Sequence, residues 1–285
     1  FAVTAGIRAD WHNKFGWFVT PRIHAKYNFD EKTVWRFSAG KGSRTAYPLA
    51  ENTSVLASSR LIVMANDLKR EEAINIGSSF TSEFQLFDLP VTLNLDFYRT
   101  WFENQLVVDM DLPGQINFSN LEGESYSNSF QVDFIFEPLD GFIVTTAYRY
   151  NEVMSSYHGN LLEKSLQSPH RAFLNLAYST DRDDWIFDFT VNYNSSGRIP
   201  ALSHNPQEYR LDAEYPGYFS LHGQITRRFV GWEIYLGGEN LTDYRQPNPI
   251  IGFDKPFGPH FDSSMIWGPI MGRVVYMGIR ISKDI

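Results

Sequence analysis

The sequence predicts an all-β protein, an antiparallel transmembrane β-barrel with about twelve strands present. Three observations predict it. Apolar and polar residues alternate with a period of two in one segment after another. The connections between these segments are alternately short and long. Aromatic residues of the apolar parity gather beside the short connections. A strand sends successive side chains to opposite faces, so such alternation gives each ribbon one apolar and one polar side.

The clearest segment is Trp185-Ile-Phe-Asp-Phe-Thr-Val-Asn-Tyr-Asn194. Trp185, Phe187, Phe189, Val191 and Tyr193 share one face; Ile186, Asp188, Thr190, Asn192 and Asn194 share the other. The polar turn 179–184 links it to Ala172–Tyr178, whose face is Ala172, Leu174, Leu176 and Tyr178. Together they predict a hairpin.

In chain order, strand one covers Ala2–Ala9, with Val3, Ala5 and Ile7 on one side. Strand two, Phe18–Phe29, sets Ile23, Ala25, Tyr27 and Phe29 against Arg22, His24, Lys26 and Asn28. Strand three, Thr33–Gly40, sets Trp35, Phe37 and Ala39 against Arg36 and Ser38. Residues 41–70 read as irregular, with room for a short helix; their one apolar run, Leu61-Ile-Val-Met64, does not alternate. Strand four, Glu72–Phe87, carries Ile74, Ile76, Phe80, Phe84 and Leu86 on one parity. Strand five opposes Val91, Leu93, Leu95 and Phe97 to Thr92, Asn94, Asp96 and Tyr98. Arg99 then falls on the apolar parity, which predicts a bulge or an Arg snorkelling at the end of the apolar band.

Strand six places Phe130, Val132, Phe134 and Phe136 together, and strand seven Phe142, Val144, Thr146, Tyr148 and Tyr150. A loop runs to about Pro169, and the first hairpin described supplies strands eight and nine. A second loop covers 195–216. Strand ten sets Phe219, Leu221, Gly223 and Ile225 against Ser220, His222, Gln224 and Thr226. Strand eleven carries Trp232, Ile234 and Leu236. A last long loop, 242–272, leads to strand twelve with Val275, Met277, Ile279 and Ile281.

Connections after strands two, four, six, eight and ten are short. Those after the odd strands are mostly long, the first, near Trp11–Trp17, being moderate. Short turns at one end and long loops at the other are the plan of an outer-membrane barrel. A soluble sandwich has no reason to sort its loops so. Phe29, Trp35, Phe84, Phe136, Phe142, Tyr178, Trp185 and Trp232 flank the short turns on the apolar parity, as an aromatic girdle would.

Composition agrees. Aromatics reach 16%, with 23 Phe, 15 Tyr and 7 Trp, which suits rings spread along a membrane interface. No apolar run reaches the ~18 residues of a spanning helix, which says nothing against spanning strands. The net charge of −8 and the lack of a basic run argue against a nucleic-acid partner. The chain has no cysteine, so it holds no disulfide or thiolate metal site. It opens on a strand-like stretch, Phe1–Arg8, so an exported protein would carry its leader upstream.

Several stretches resemble one family. Gly6-Ile-Arg-Ala-Asp-Trp-His-Asn-Lys-Phe-Gly-Trp-Phe-Val-Thr-Pro-Arg22 resembles a barrel hairpin of TonB-dependent outer-membrane receptors. Gly40-Lys-Gly-Ser-Arg-Thr-Ala-Tyr-Pro-Leu-Ala-Glu-Asn52 and Leu95-Asp-Phe-Tyr-Arg-Thr-Trp-Phe-Glu-Asn-Gln105 do likewise. The most specific stretch is Gly237-Gly-Glu-Asn-Leu-Thr-Asp-Tyr-Arg-Gln246, followed by Gly268-Pro-Ile-Met-Gly-Arg273 and a last strand. The resemblance covers essentially the whole chain. It implies that residues 1–285 are the C-terminal part of a 22-stranded barrel domain whose plug and first ten strands lie elsewhere. The terminal Lys283-Asp284-Ile285 departs from the aromatic end often found in barrel proteins.

The resemblance also implies energy-coupled uptake of a scarce nutrient. Its partners would be outer-membrane lipid, TonB reached through the plug, a surface lipoprotein, and a small-molecule or oligomeric ligand. Long loops would be extracellular, and the short turns and C-terminus periplasmic. Two other readings are a complete twelve-stranded passive channel and a twelve-stranded outer-membrane lipid hydrolase. The hydrolase would need a Ser–His pair on the lipid-facing parity, and none is found there. No cofactor is implied.

No catalytic elbow, phosphate loop or zinc-binding helix motif is present. The seven histidines are scattered without metal-ligand spacing. The acidic pairs Asp109-Met-Asp111 and 181–184 have hard-cation chemistry but no calcium-loop spacing, and no metal site is assigned. Binding belongs on the long loops, where a rigid scaffold carries variable segments. The aromatic and His residues there are Tyr157, His158, His204, Tyr209, Phe253, Phe257 and His260. Packing of the loops against themselves explains the same residues equally well.

Overall fold

A computed structural model describes residues 1–282; Lys283-Asp284-Ile285, and with them the terminal motif and the side on which the chain ends, lie outside the described residues. Twelve long strands match the twelve read from the sequence. They are β1 (Ala2–His12), β2 (Gly16–Asn28), β3 (Thr33–Arg44), β4 (Glu71–Leu86), β5 (Leu89–Asn104) and β6 (Ser125–Leu139). Then come β7 (Phe142–Tyr157), β8 (His170–Ser179), β9 (Trp185–Asn194), β10 (Tyr218–Phe229), β11 (Trp232–Glu239) and β12 (Val274–Ile281). They lie side by side in chain order in one sheet, every neighbour antiparallel. β1 and β12 end the sheet on opposite sides and are not paired with each other.

The register confirms the two faces. Phe189 opposes Leu176 and Gly223, and Val191 opposes Leu174 and Leu221. Asp188 opposes Ala177 and Gln224, and Asn192 opposes Phe173 and Ser220. The apolar face is bare: Trp185 is 42%, Phe187 39% and Phe189 38% exposed. Beside the short turns the rings form a belt, Phe142–Tyr178–Phe187–Trp185, with successive centroids 6.2–6.4 Å apart.

On the polar face, tyrosines lie flat over glycines of the next strand. Tyr98 covers Gly77, and Tyr276 covers Gly237, each its direct register partner. A Cβ at Gly77 would stand 2.3 Å from the Tyr98 ring, and one at Gly237 2.4 Å from that of Tyr276. Only glycine admits this approach, which fills the gap its missing side chain leaves in the sheet.

The wall has no interior of its own; the two apolar cores sit in the long loops. One holds Val55, Ile116 and Phe118, and the other Ile199, Leu202, Tyr215, Ile251 and Met265. The first is built on a small sheet of Leu61–Met64, Gln115–Asn120 and Leu106–Asp109. The apolar run 61–64 is therefore a strand, while the expected short helix is one turn at Pro48–Glu51. The run pairs in parallel at the edge of the loop sheet, where Ile62 packs against the core and Leu61, Val63 and Met64 are exposed.

Two further local expectations are corrected. The first connection is not moderate: β1 and β2 stay paired out to His12 and Gly16, leaving only residues 13–15 to turn. Arg99 causes no bulge, since it opposes Ile76 and Asn128 in unbroken register. The irregularity falls at Glu72/Ala73 instead. Arg99 lies against Trp101 and Tyr126, 4.9 and 4.6 Å from their ring centroids, and its Nη1 donates to Asn128 Oδ1 at 3.0 Å. Glu152, beyond Asn128 on the same face, accepts from its amide. Ile74 and Trp101 lie one register pair nearer the loops on the same face, so apolar surface continues past Arg99.

The Asn240-Leu-Thr-Asp243 stretch closes the base of the last loop. The Asn240 amide donates to Tyr244 O at 2.8 Å and Met271 O at 3.2 Å. Asp243 Oδ1 accepts from Arg273 N at 2.8 Å. Both residues have positive φ, 48° and 55°, a conformation in which Asn and Asp are enriched.

Candidate functional site

The seven loop residues divide into three sets. Tyr157 and His158 end β7. His158 Nε2 meets the buried Asp109 Oδ2 at 2.7 Å. Asp109 Oδ1 accepts from Asp111 N at 2.8 Å, and Asp111 accepts from Arg198 Nη1 at 2.9 Å and from Ala201 N at 2.7 Å. Arg198 stands 5.5 Å from the Tyr157 ring centroid. The acidic pair thus joins three loops through His158 and Arg198.

His204, Tyr209 and His260 form the second set. Tyr209 and His260 stack with centroids 4.9 Å apart. Burial holds the His204 imidazole below its usual pKa, and Arg60, Arg210 and His260 push the same way. Phe253 and Phe257 form the third set, out in solvent, 73% and 103% exposed.

A clasp joins loops that lie far apart in the sheet. Arg60 Nε meets Asp262 Oδ2 at 2.7 Å, both side chains 6% exposed. Ser59 N donates to Phe261 O at 2.8 Å, and Ser263 N to Ala57 O at 3.1 Å. One loop follows β3 and the other precedes β12, so the contact spans the loop end of the sheet.

Below the loops, the polar face carries a feature that the sequence reading missed. Arg149 of β7 and Arg171 of β8 are direct register partners. Both line a cleft of about 400 Å³ with Gln131, Asn192, Asn194 and Ser220. A neighbouring cleft of about 360 Å³ shares both arginines and adds Lys164, Ser165 and Ser168. Lys164 and Ser165 also line the space under the loop core, beside Tyr157. Arg149 donates to Gln131 Oε1 at 2.8 Å. Among the described residues, no carboxylate lies within 4.0 Å of Arg149, Arg171 or Lys164. A second like-charge pair, Lys26 opposite Arg36, lies near the short-turn end of β2 and β3. Arg149 falls on the polar parity of β7, but its facing Arg171 lies across the long loop 158–169, so the sequence leaves the register open.

A sequence model of the family described as "TonB dependent receptor-like, beta-barrel" matches residues 1–241. The chain belongs to this family. The receptor barrel also resembles solved structures. The ferric enterobactin receptor PfeA of Pseudomonas aeruginosa superposes with a TM-score of 0.65 at 15% identity, over 97% of this chain and 42% of that one. The iron transporter FrpB of Neisseria meningitidis gives 0.63 at 13% identity, over 97% and 41%. The copper transporter OprC gives 0.70 at 12% identity, over 99% and 45%. This receptor chain spans about two fifths of the length of these structures. Comparison with curated proteins gives no match.

The open sheet edges fit a partial barrel wall. A Ser–His side-chain contact in the wall, Ser220 Oγ to His222 Nε2 at 3.1 Å, lies on the polar face.

Proposed function

We propose that residues 1–285 are the C-terminal part of the barrel domain of an outer-membrane receptor that imports a scarce solute by TonB-coupled transport. The apolar face meets acyl chains, and the polar face lines the lumen. The long loops are extracellular and bind the ligand, with a surface lipoprotein as a further partner. The short turns are periplasmic, and TonB is reached through a plug that fills the lumen. Similarity to structures named as a ferric enterobactin receptor, an iron transporter and a copper transporter supports counting iron and copper among the cargo this reading admits.

One observation carries the reading. The sheet presents Phe187, Phe189 and their neighbours bare along its whole apolar face, while the apolar cores lie in the loops. In water such a face would be a large unsatisfied patch; in a bilayer it is the required surface. A complete twelve-stranded channel needs β1 to pair with β12, and these strands end the sheet on opposite sides.

Residues 1–285 contain no cysteine, which suits a thiol-labelling test. Phe257→Cys in the last loop should react with a membrane-impermeant maleimide on intact cells. Asp181→Cys in the turn after β8 should react only once the outer membrane is permeabilised. Equal labelling of both on intact cells would reject the orientation.

A further inference from the structure

We propose that Arg149 and Arg171, with Lys164 above them, form an anion site on the lumen wall, and that its ligand is a solute with two or more carboxylate or phosphate groups. The site rests on the lumen-facing assignment of the polar face.

Like charges directly opposed across two antiparallel strands destabilise the pair. Arg149 and Arg171 are so opposed. Elsewhere on this face, cations have acidic partners: Arg8 with Asp10 at 2.7 Å, and Arg280 with Glu233. The Arg149–Arg171 pair has none among the described residues. Two guanidiniums held side by side present paired N–H forks, which match carboxylate or phosphate oxygens two at a time. Gln131, which accepts from Arg149, fixes one fork in place.

The surroundings suit a polar solute. The clefts are lined by Asn192, Asn194, Ser220 and Ser168, which offer both donors and acceptors. Lys164 and Ser165 continue the lining upward to the space beneath the loop core. A solute released by the loops would therefore meet Lys164 first and the arginine pair next. The continuous lining toward the loops favours a solute over a fixed carboxylate from elsewhere in the protein.

The test uses citrate as the probe, titrated calorimetrically into the intact protein in detergent micelles at low and high salt. Binding is expected, weaker at high salt. The double variant R149Q/R171Q should lose about tenfold or more in affinity, since the charge-assisted hydrogen bonds to the carboxylates are lost. Removing two opposed charges from an empty site should leave Tm equal or higher. The lower pair is the control for general positive potential: K26Q/R36Q should change citrate affinity little. No binding to the parent, unchanged affinity in R149Q/R171Q, or an equal loss in K26Q/R36Q would each overturn the site. A fall in Tm with citrate affinity unchanged would show that the pair holds a carboxylate of the protein itself, and would overturn it too. The maleimide experiment is independent, so a misassigned orientation is told apart from a misassigned ligand.

Discussion

Phe189 and Asn192 are three residues apart in β9 and lie on opposite faces of it. Phe189 packs in the register between Leu176 and Gly223, facing outward; Asn192 lies beside Phe173 and Ser220 and lines the arginine cleft. Arg at a lipid-facing midplane position costs ~2–4 kcal/mol, whereas lumen substitutions are tolerated. Phe189→Arg should therefore lower folding stability in bilayers by that amount, and Asn192→Arg by far less; equal losses would reverse the facing assignment. His204 makes a second residue-scale prediction. Its folded pKa lies below the ordinary imidazole value of about 6.5, through burial first and then Arg60, Arg210 and His260. The unfolded chain thus binds the proton more readily, and stability falls as pH drops through about 6.5 toward the lower folded value. Loop melting followed by tryptophan fluorescence should show this acid loss, and His204→Gln should reduce it. The side-chain directions behind the first prediction were legible from the sequence, because a period of two is a local property. The cations around His204 were not, because they come from separate segments.

The long loops behave as packed elements rather than as tethers. Their cohesion rests on Val55, Ile116 and Phe118 in one core and on Met265 and its neighbours in the other, with the Arg60–Asp262 pair between segments. Removing one partner of a buried pair strands the other charge and costs ~3–5 kcal/mol. Asp262→Asn should therefore speed amide exchange at Ser59 and Ser263 by more than about a hundredfold, while amides in β8 and β9 keep their protection. Unchanged exchange at those two serines would mean that the clasp does not hold the loops. The twelve strands were legible in the sequence, most of their ends within a few residues, since polar turns and aromatic belts bracket them. The small loop sheet was not. Four apolar residues at 61–64 carry no period, and only their parallel partner at 115–120 makes them a strand. Of the two expectations at Arg99, a bulge or a snorkelling side chain, the bulge is absent: the charge on the apolar parity lies against Trp101 of its own strand and against Tyr126 and Asn128, which the neighbouring strand brings to it.

At the scale of the molecule, the family match over residues 1–241 and the open edges at β1 and β12 describe a barrel wall spanning about two fifths of the structures it resembles. Loop binding was expected at seven residues; the structure links His158 and Tyr157 through Asp109, Asp111 and Arg198, stacks Tyr209 on His260 near His204, and leaves Phe253 and Phe257 in solvent. The sequence by itself determined the strand count, the two faces of every strand and, at every connection but the first, the sorting of short turns from long loops, because alternation and turn chemistry act between near neighbours. Only the tertiary structure decided which cations face each other and which loops clasp. Arg149 meets Arg171, and Arg60 meets Asp262, across long connections that leave strand register and loop contacts free until the whole sheet and its loop cores assemble.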